Sequence, residues 1–169
     1  MEQIKNRFTG EVMCGGLSLR VVLERHKKWL NDEDGGERAN FMYADLRSAD
    51  LMYADLMSAD LRSANLRIFK HDTWAVLAYA KNEVPNLIKA IKDGKIDGSC
   101  YEGECCCLCG TLEKGLGHKI NIRDMSSPAE KWFSMIKEGD TPENNQASKL
   151  ALEWIEEWQT LNTAGQKVR

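Results

Sequence analysis

From Ala39 onward the large apolar residues recur at every fifth position, as Phe41, Leu46, Leu51, Leu56, Leu61 and Leu66. Each is preceded two positions earlier by an alanine, Ala39, Ala44, Ala49, Ala54, Ala59 and Ala64. Five is neither the helical period of about 3.6 nor the strand period of 2, so a plain helix or strand would scatter these side chains over several faces. A coil in which each five-residue unit forms one side turns them all inward. The alanines then fill what remains of a narrow, close-packed interior. Coil ends expose apolar interior and unpaired edges, and something must cover them. Upstream, Leu19, Val22, Leu23, His26, Trp29 and Leu30 share one helical face, Ser18 stands at the N-cap position, and Asp32 to Gly36 break the pattern. This predicts a capping helix over Leu19 to Leu30. Ahead of it, Ile4 to Phe8 and Glu11 to Cys14 flank Thr9-Gly10 and predict a small hairpin.

Beyond Ile68 the pattern turns helical. Trp74 to Ala80 reads equally as helix or strand, whereas Val84, Leu87, Ile88 and Ile91 predict a helix from about Glu83 to Asp93, stopped by Gly94. Ser127-Pro128 opens another, whose stripe Ala129, Trp132, Phe133 and Ile136 runs to Gly139. The last extends from Pro142 or Glu143 to Leu161 with Ala147, Leu150, Ala151, Trp154, Ile155 and Trp158 on one face. Such an aromatic stripe is read as core rather than as a ligand box. Between these helices, Cys105, Cys107 and Cys109 alternate with Cys106 and Leu108, which predicts a strand with Lys119 to Arg123 as its partner.

The units Ala-Asn-Phe-Met-Tyr, Ala-Asp-Leu-Arg-Ser and their four successors up to Ile68 resemble the pentapeptide-repeat family, pattern Ala-Asp/Asn-Leu-x-x. The resemblance implies a right-handed quadrilateral β-helix with four units per coil, so six units make about 1.5 coils. At ~4.8 Å per coil, such a stack rises under ~10 Å. The expected fold is α+β: this short β-helix, capped by the N-terminal helix and packed with a C-terminal domain of helices and a small sheet. The expected divisions are 1–38 for hairpin and capping helix, 39–68 for the repeats, and 69–169 for the C-terminal domain with its Cys-rich loop. The stretch from Val84 to Trp132, with Tyr101-Glu102-Gly103-Glu104-Cys105 and Pro128 to Phe133, is also similar to a region of uncharacterised phage and prophage proteins. That implies a phage origin and no established activity.

Charge narrows the function classes. The chain of 169 residues is 43% hydrophobic and 29% charged with a net charge of −3, an ordinary globular composition with no general drive toward polyanions. Long pentapeptide-repeat rods are mimics of duplex DNA that occupy topoisomerases, and Asp45, Asp50, Asp55 and Asp60 invite that reading. Arg47, Arg62 and Arg67 offset them, and a stub cannot reproduce the ~34 Å turn of B-DNA. The aspartates and asparagines serve instead as turn residues that hydrogen-bond to backbone. Duplex DNA is therefore not the expected partner. No apolar run approaches the ~20 residues of a membrane helix, and Met1 to Gly10 lacks the apolar core of a secretory signal, so a cytoplasmic protein of the host cell is expected.

Five of the six cysteines fall between Cys100 and Cys109. The spacing does not form paired C-x2-C knuckles for zinc, and Glu102, Glu104 and Glu113 would raise rather than lower a thiol pKa. Reduced thiols packed in a core are expected, with no catalytic residue, no metal site and no cofactor. The loop's Tyr101, Glu102, Glu104, Cys105 and Cys107, with His118, form one candidate binding group. Arg47, Arg62 and Arg67 form a second, suited to a polyanionic nucleotide. The expectation is a non-enzymatic binding protein that interferes with a host defence pathway by holding a host protein or a small nucleotide-like ligand. A coil face also admits end-to-end association into a homo-oligomer. Two alternatives stand beside it: a metal- or thiol-dependent enzyme centred on Cys100 to Cys109 and His118, and a DNA-mimic inhibitor.

Overall fold

Asn40 bridges Asp60 and Asp45 bridges Asn65, both in parallel, so each unit meets the unit twenty residues further on. These contacts belong to a computed structural model that describes residues 3–52, 54–99, 107–120 and 127–164. The chain divides into two compact units, Met1–Arg67 and Ile68–Arg169.

In the first unit the repeat winds as a β-helix-like coil. Phe41, Leu46, Leu51, Leu56, Leu61 and Leu66 are all buried, and so are Ala39, Ala44 and Ala59, while the other three alanines are partly buried. Two hydrogen bonds repeated from unit to unit turn the corners. Each alanine from Ala44 to Ala64 donates its N–H to the carbonyl of the preceding large residue at 2.9 to 3.1 Å. One residue before each large apolar residue, the Asn or Asp Oδ1 accepts the backbone N–H two positions on, from Asn40 to Met42 through Asn65 to Arg67, at 3.0 to 3.4 Å. The acidic residues of the repeat thus have the turn-forming role expected of them. Between layers, Phe41 donates to the Asp60 carbonyl at 2.7 Å and Asn65 to that of Ala44 at 2.7 Å.

Strand β1 (Lys5–Asn6) pairs antiparallel with β2 (Ala44–Asp45), Lys5 opposite Asp45 and Asn6 opposite Ala44. Tyr43 donates its N–H to Arg62 at 3.0 Å and accepts from the Arg7 N–H at 2.8 Å, so it lies between the next coil layer and the N-terminal segment. The N-terminal segment covers a coil edge that a preceding layer would otherwise occupy. The hairpin expected at Ile4 to Phe8 and Glu11 to Cys14 reduces to one bridge, Lys5 to Val12, supported by Asn6 N–H to Glu11 and Met13 N–H to Ile4.

Helix α1 (Leu19–Leu30) has the expected bounds. Ser18 takes the extended N-cap conformation, yet its hydroxyl makes no capping bond and is buried without a partner among the described residues. His26 ties the helix to the coil. Its Nδ1 accepts the Ala39 N–H at 3.2 Å, and its Nε2 lies 3.0 Å from the Met57 carbonyl. Trp29 stacks on the imidazole at 5.6 Å.

The second unit is helical among its described residues. The ambiguous Trp74 to Ala80 stretch resolves as helix α2 (Arg67–Tyr79), and α3 (Val84–Lys92) lies within its expected span. The expected strand is corrected at Cys107 to Cys109, Cys105 and Cys106 lying outside the described residues: Leu108 to Leu116 form helix α4, with Cys107 at its N-cap and Gly117 in the left-handed conformation at its end. Leu108, Leu112 and Leu116 share a helical face, and burial of Leu108 and Leu112 outweighs the short alternation of cysteines. The expected partner strand is not formed at Lys119 or Ile120, and its remaining residues lie outside those described.

Helix α5 (Pro128–Phe133) opens at Ser127, whose Oγ accepts the Glu130 N–H at 3.3 Å. Helix α6 (Gln146–Ala164) begins after the expected Pro142 or Glu143, because Asn145 caps it by accepting the Ser148 N–H at 2.8 Å. The tryptophans form core. Trp132 is fully buried, 4.8 Å from Trp154 and 5.4 Å from Phe69, and its indole N–H reaches the Ala147 carbonyl at 3.1 Å. No helix among the described residues is long and apolar enough to cross a membrane.

Candidate functional site

The pairing of β1 with β2 leaves a cleft of about 660 Å³ in the first unit, within the size range of small-molecule sites. Ile4, Leu19, Leu46 and Ala49 supply its apolar lining, while Lys5, Asp45 and Arg47 supply its charge. Each side chain arrives by a local rule. Ile4 and Lys5 come from the strand that covers the coil edge, Leu19 from the first turn of α1, and Arg47 from the second repeat.

Arg47 is oriented by Asp45, its Nε and Nη2 reaching the carboxylate at 2.9 and 2.6 Å. This pairing draws the Asp45 carboxyl below its usual range, helped by the charge of Arg7. One coil side away the same geometry recurs, with Arg62 Nη2 2.7 Å from Asp60 and the Asp60 pKa lowered to about 2, chiefly by that hydrogen bond. Arg67 is the first residue of α2, and its backbone N–H is held by Asn65. The twenty-residue layer offset places Arg47 and Arg67 on the same side of successive layers and Arg62 on the adjoining side. The structure therefore gathers the three arginines on neighbouring coil sides but leaves only Arg47 in the cleft.

The loop candidates have a different outcome. Tyr101, Glu102, Glu104 and Cys105 lie outside the described residues. Cys107 is buried at the N-cap of α4, where its Sγ accepts the Gly110 N–H at 3.4 Å. Cys109 is buried in the first turn, its N–H donating to Glu130 Oε1 at 3.1 Å. Burial, with the Glu130 charge beside it, pushes the Cys109 thiol far up, which disfavours the nucleophilic thiolate. His118 is exposed, with Nδ1 3.1 Å from the Leu116 carbonyl. Among the described residues no group of three or more His, Cys, Asp or Glu is placed to hold a metal ion.

Sequence reasoning passed over the residues that β1 brings to the coil. Phe8 is 69% exposed at the tip of the 6–11 turn, its ring 5.9 Å from that of Tyr43, with the Arg7 guanidinium 4.9 Å from its centre. The available signal was an arginine beside an aromatic residue in a turn too tight to bury it.

Residues 37–67 match the family described as pentapeptide repeats (8 copies), which supports the resemblance carried by the five-residue units and a β-helix-like fold for that segment. No curated protein matches the chain. No solved structure matches it.

Proposed function

We propose that this chain is a non-enzymatic binding protein, phage-encoded, that acts in the host cytoplasm by holding a host protein or a small nucleotide-like ligand and so interferes with a defence pathway. The repeat segment is read as about 1.5 turns of a right-handed, four-sided coil, used as a rigid mount for the residues around it. One observation carries the reading: a cleft of about 660 Å³ lined by apolar Ile4, Leu19, Leu46 and Ala49 and by charged Lys5, Asp45 and Arg47, built on strand, helix and coil. Two others support it. The repeat carboxylates are engaged in turn hydrogen bonds, and Asp45 and Asp60 also in arginine pairs, which weighs against mimicry of duplex DNA. The raised Cys109 thiol weighs against a thiol enzyme. Self-association through a coil face belongs to the same proposal.

The test is affinity purification of the full chain from infected host cells, with mass spectrometry of both protein and small-molecule fractions, beside a Lys5→Glu/Arg47→Glu variant. A partner retained by the parent and lost from the variant is the expected result. Turnover of a substrate by the purified chain, or a partner held equally by both, would overturn the proposed role of the cleft.

A further inference from the structure

The turn that carries Phe8 is held by several hydrogen bonds. Asn6 Oδ1 accepts the N–H groups of Phe8 at 2.9 Å and Thr9 at 3.1 Å, the Gly10 N–H reaches the Asn6 carbonyl at 2.9 Å, and the Asn6 N–H reaches that of Glu11 at 2.8 Å. A large apolar ring is thereby kept in water by a fixed backbone, which gives the folded chain little hydrophobic return. Tyr43 faces it edge-on at 63° and is 40% exposed, on a backbone with φ of 63°, a conformation uncommon for a residue with a side chain.

Cations surround this pair. Arg7 lies over the Phe8 ring while its Nη1 donates to the Ser63 carbonyl at 3.1 Å. Arg62 spends Nε and Nη2 on Asp60 and stands near enough to the Tyr43 phenol for the two to interact. Lys5 and Arg47 continue the group toward the cleft. Lys5, Arg7, Arg47 and Arg62 stand with Asp45, Asp60 and, on the turn itself, Glu11, whose carboxylate accepts the Thr9 hydroxyl at 3.1 Å, four cations to three anions on a chain whose net charge is −3.

Exposed aromatic faces stack nucleobases, and arginines held in place by their own partners take phosphate oxygens. We infer that this corner binds nucleotides, the base stacking on Phe8 with Tyr43 beside it and the phosphate on Arg7 and Arg62. The inference rests on the binding role proposed above and names its ligand as a base with a phosphate, carried either by a free nucleotide or by a single strand of nucleic acid. A duplex does not fit, because its base faces are stacked inside.

The experiment uses the full chain, with fluorescence anisotropy on a labelled decathymidylate and calorimetry with ATP. Binding of either probe is expected, and which one binds distinguishes the two sources. Phe8→Ala should weaken it about tenfold or more, Phe8→Trp should restore it with quenching of the new indole, and Tyr79→Ala, an exposed aromatic of the second unit, should leave it unchanged. Arg7→Ala should flatten the salt dependence of single-strand binding by about 0.7 in log–log slope. Circular dichroism melting of each variant separates lost binding from lost folding. The inference is overturned if neither probe binds at millimolar concentration, if a folded Phe8→Ala binds as the parent does, or if a duplex of equal length binds as well. A partner lost from the Lys5→Glu/Arg47→Glu variant but kept by Phe8→Ala would leave the binding role standing and reject this corner.

Discussion

The imidazole Nδ1 of His26 accepts the backbone N–H of Ala39 at 3.2 Å. A ring nitrogen that accepts must be unprotonated, so the proton of the neutral ring sits on Nε2 and is donated to the Met57 carbonyl 3.0 Å away. One fully buried side chain thus joins α1 to the first and fourth repeats. Replacing it with an apolar residue of similar bulk leaves a backbone donor and a backbone acceptor without their partner. His26→Leu should cost about 2–4 kcal/mol, read as a shift of the urea midpoint at unchanged slope.

The same contact makes stability depend on pH. Burial is the main cause that lowers the His26 pKa, with Arg38 adding to it, while the Met57 hydrogen bond and Asp55 oppose. The folded pKa then lies below the unfolded value of about 6.5, so the unfolded chain binds the proton more readily. The His26 contribution is complete above about pH 6.5 and is lost as pH falls from there toward the folded pKa. Urea midpoints should drop between pH 7.5 and 5.5 in the parent, and His26→Leu should flatten that drop. A parent curve as flat as the variant's would show that His26 is not the titrating group. Asp45 and Asp60 are held below the ordinary carboxylate range by their arginines, so their contribution is present above about pH 4 and fades only under stronger acid.

Arg-Ser occurs twice in the repeat, at 47–48 and 62–63, with different backbones. Ser63 has φ of 55° and Ser48 is not in the left-handed region. A β-branched residue is strained in that conformation, so Ser63→Val should cost about 1–2 kcal/mol. Ser48→Val, on an exposed turn, should stay within about 0.5 kcal/mol. Paired thermal melts check the difference.

Gly98 packs against the backbone of α5's end. A Cβ there would overlap the Phe133 carbonyl and come within 2.7 Å of the Ser134 Cα, and the Gly98 N–H is already bonded to the Ile136 carbonyl at 2.8 Å. Backbone cannot yield as a flexible side chain can. Gly98→Ala should destabilise the second unit by about 3 kcal/mol, whereas Gly117→Ala at the exposed C-terminus of α4, where space is open but φ is 70°, should cost about 1 kcal/mol.

Thiol reactivity tests the site chemistry. Cys109 is buried with its pKa pushed up, and Cys107 is buried beside it. Iodoacetamide at pH 7.5 followed by peptide mapping should leave both unmodified in the native chain and label them in urea. Rapid native labelling of Cys109 would restore the thiol-enzyme alternative.

Local periodicity and chemistry are enough to determine the five-residue register, the bounds of α1 and the opening of α5 at Ser127-Pro128. The register and the opening of α5 follow from side chains acting on backbone within a few positions, as when Asp55 accepts the Met57 N–H or Ser127 that of Glu130, and α1 follows from its one apolar face without a side-chain cap. The rest depends on partners distant in the chain. Lys5 pairs with Asp45 because a coil edge needs a strand, and nothing near Lys5 in sequence announces it. Cys107 to Cys109 alternate like a strand, yet helix α4 forms where Leu108 and Leu112 find a core. The candidate site shares this division. Arg47 and Arg62 were legible because the repeat displays them, while Phe8 became a candidate only when β1 carried it to Tyr43, thirty-five residues away. Tertiary structure alone decided that meeting, since strand pairing over such a separation is set by the register of the coil edge and not by the local preferences of either segment.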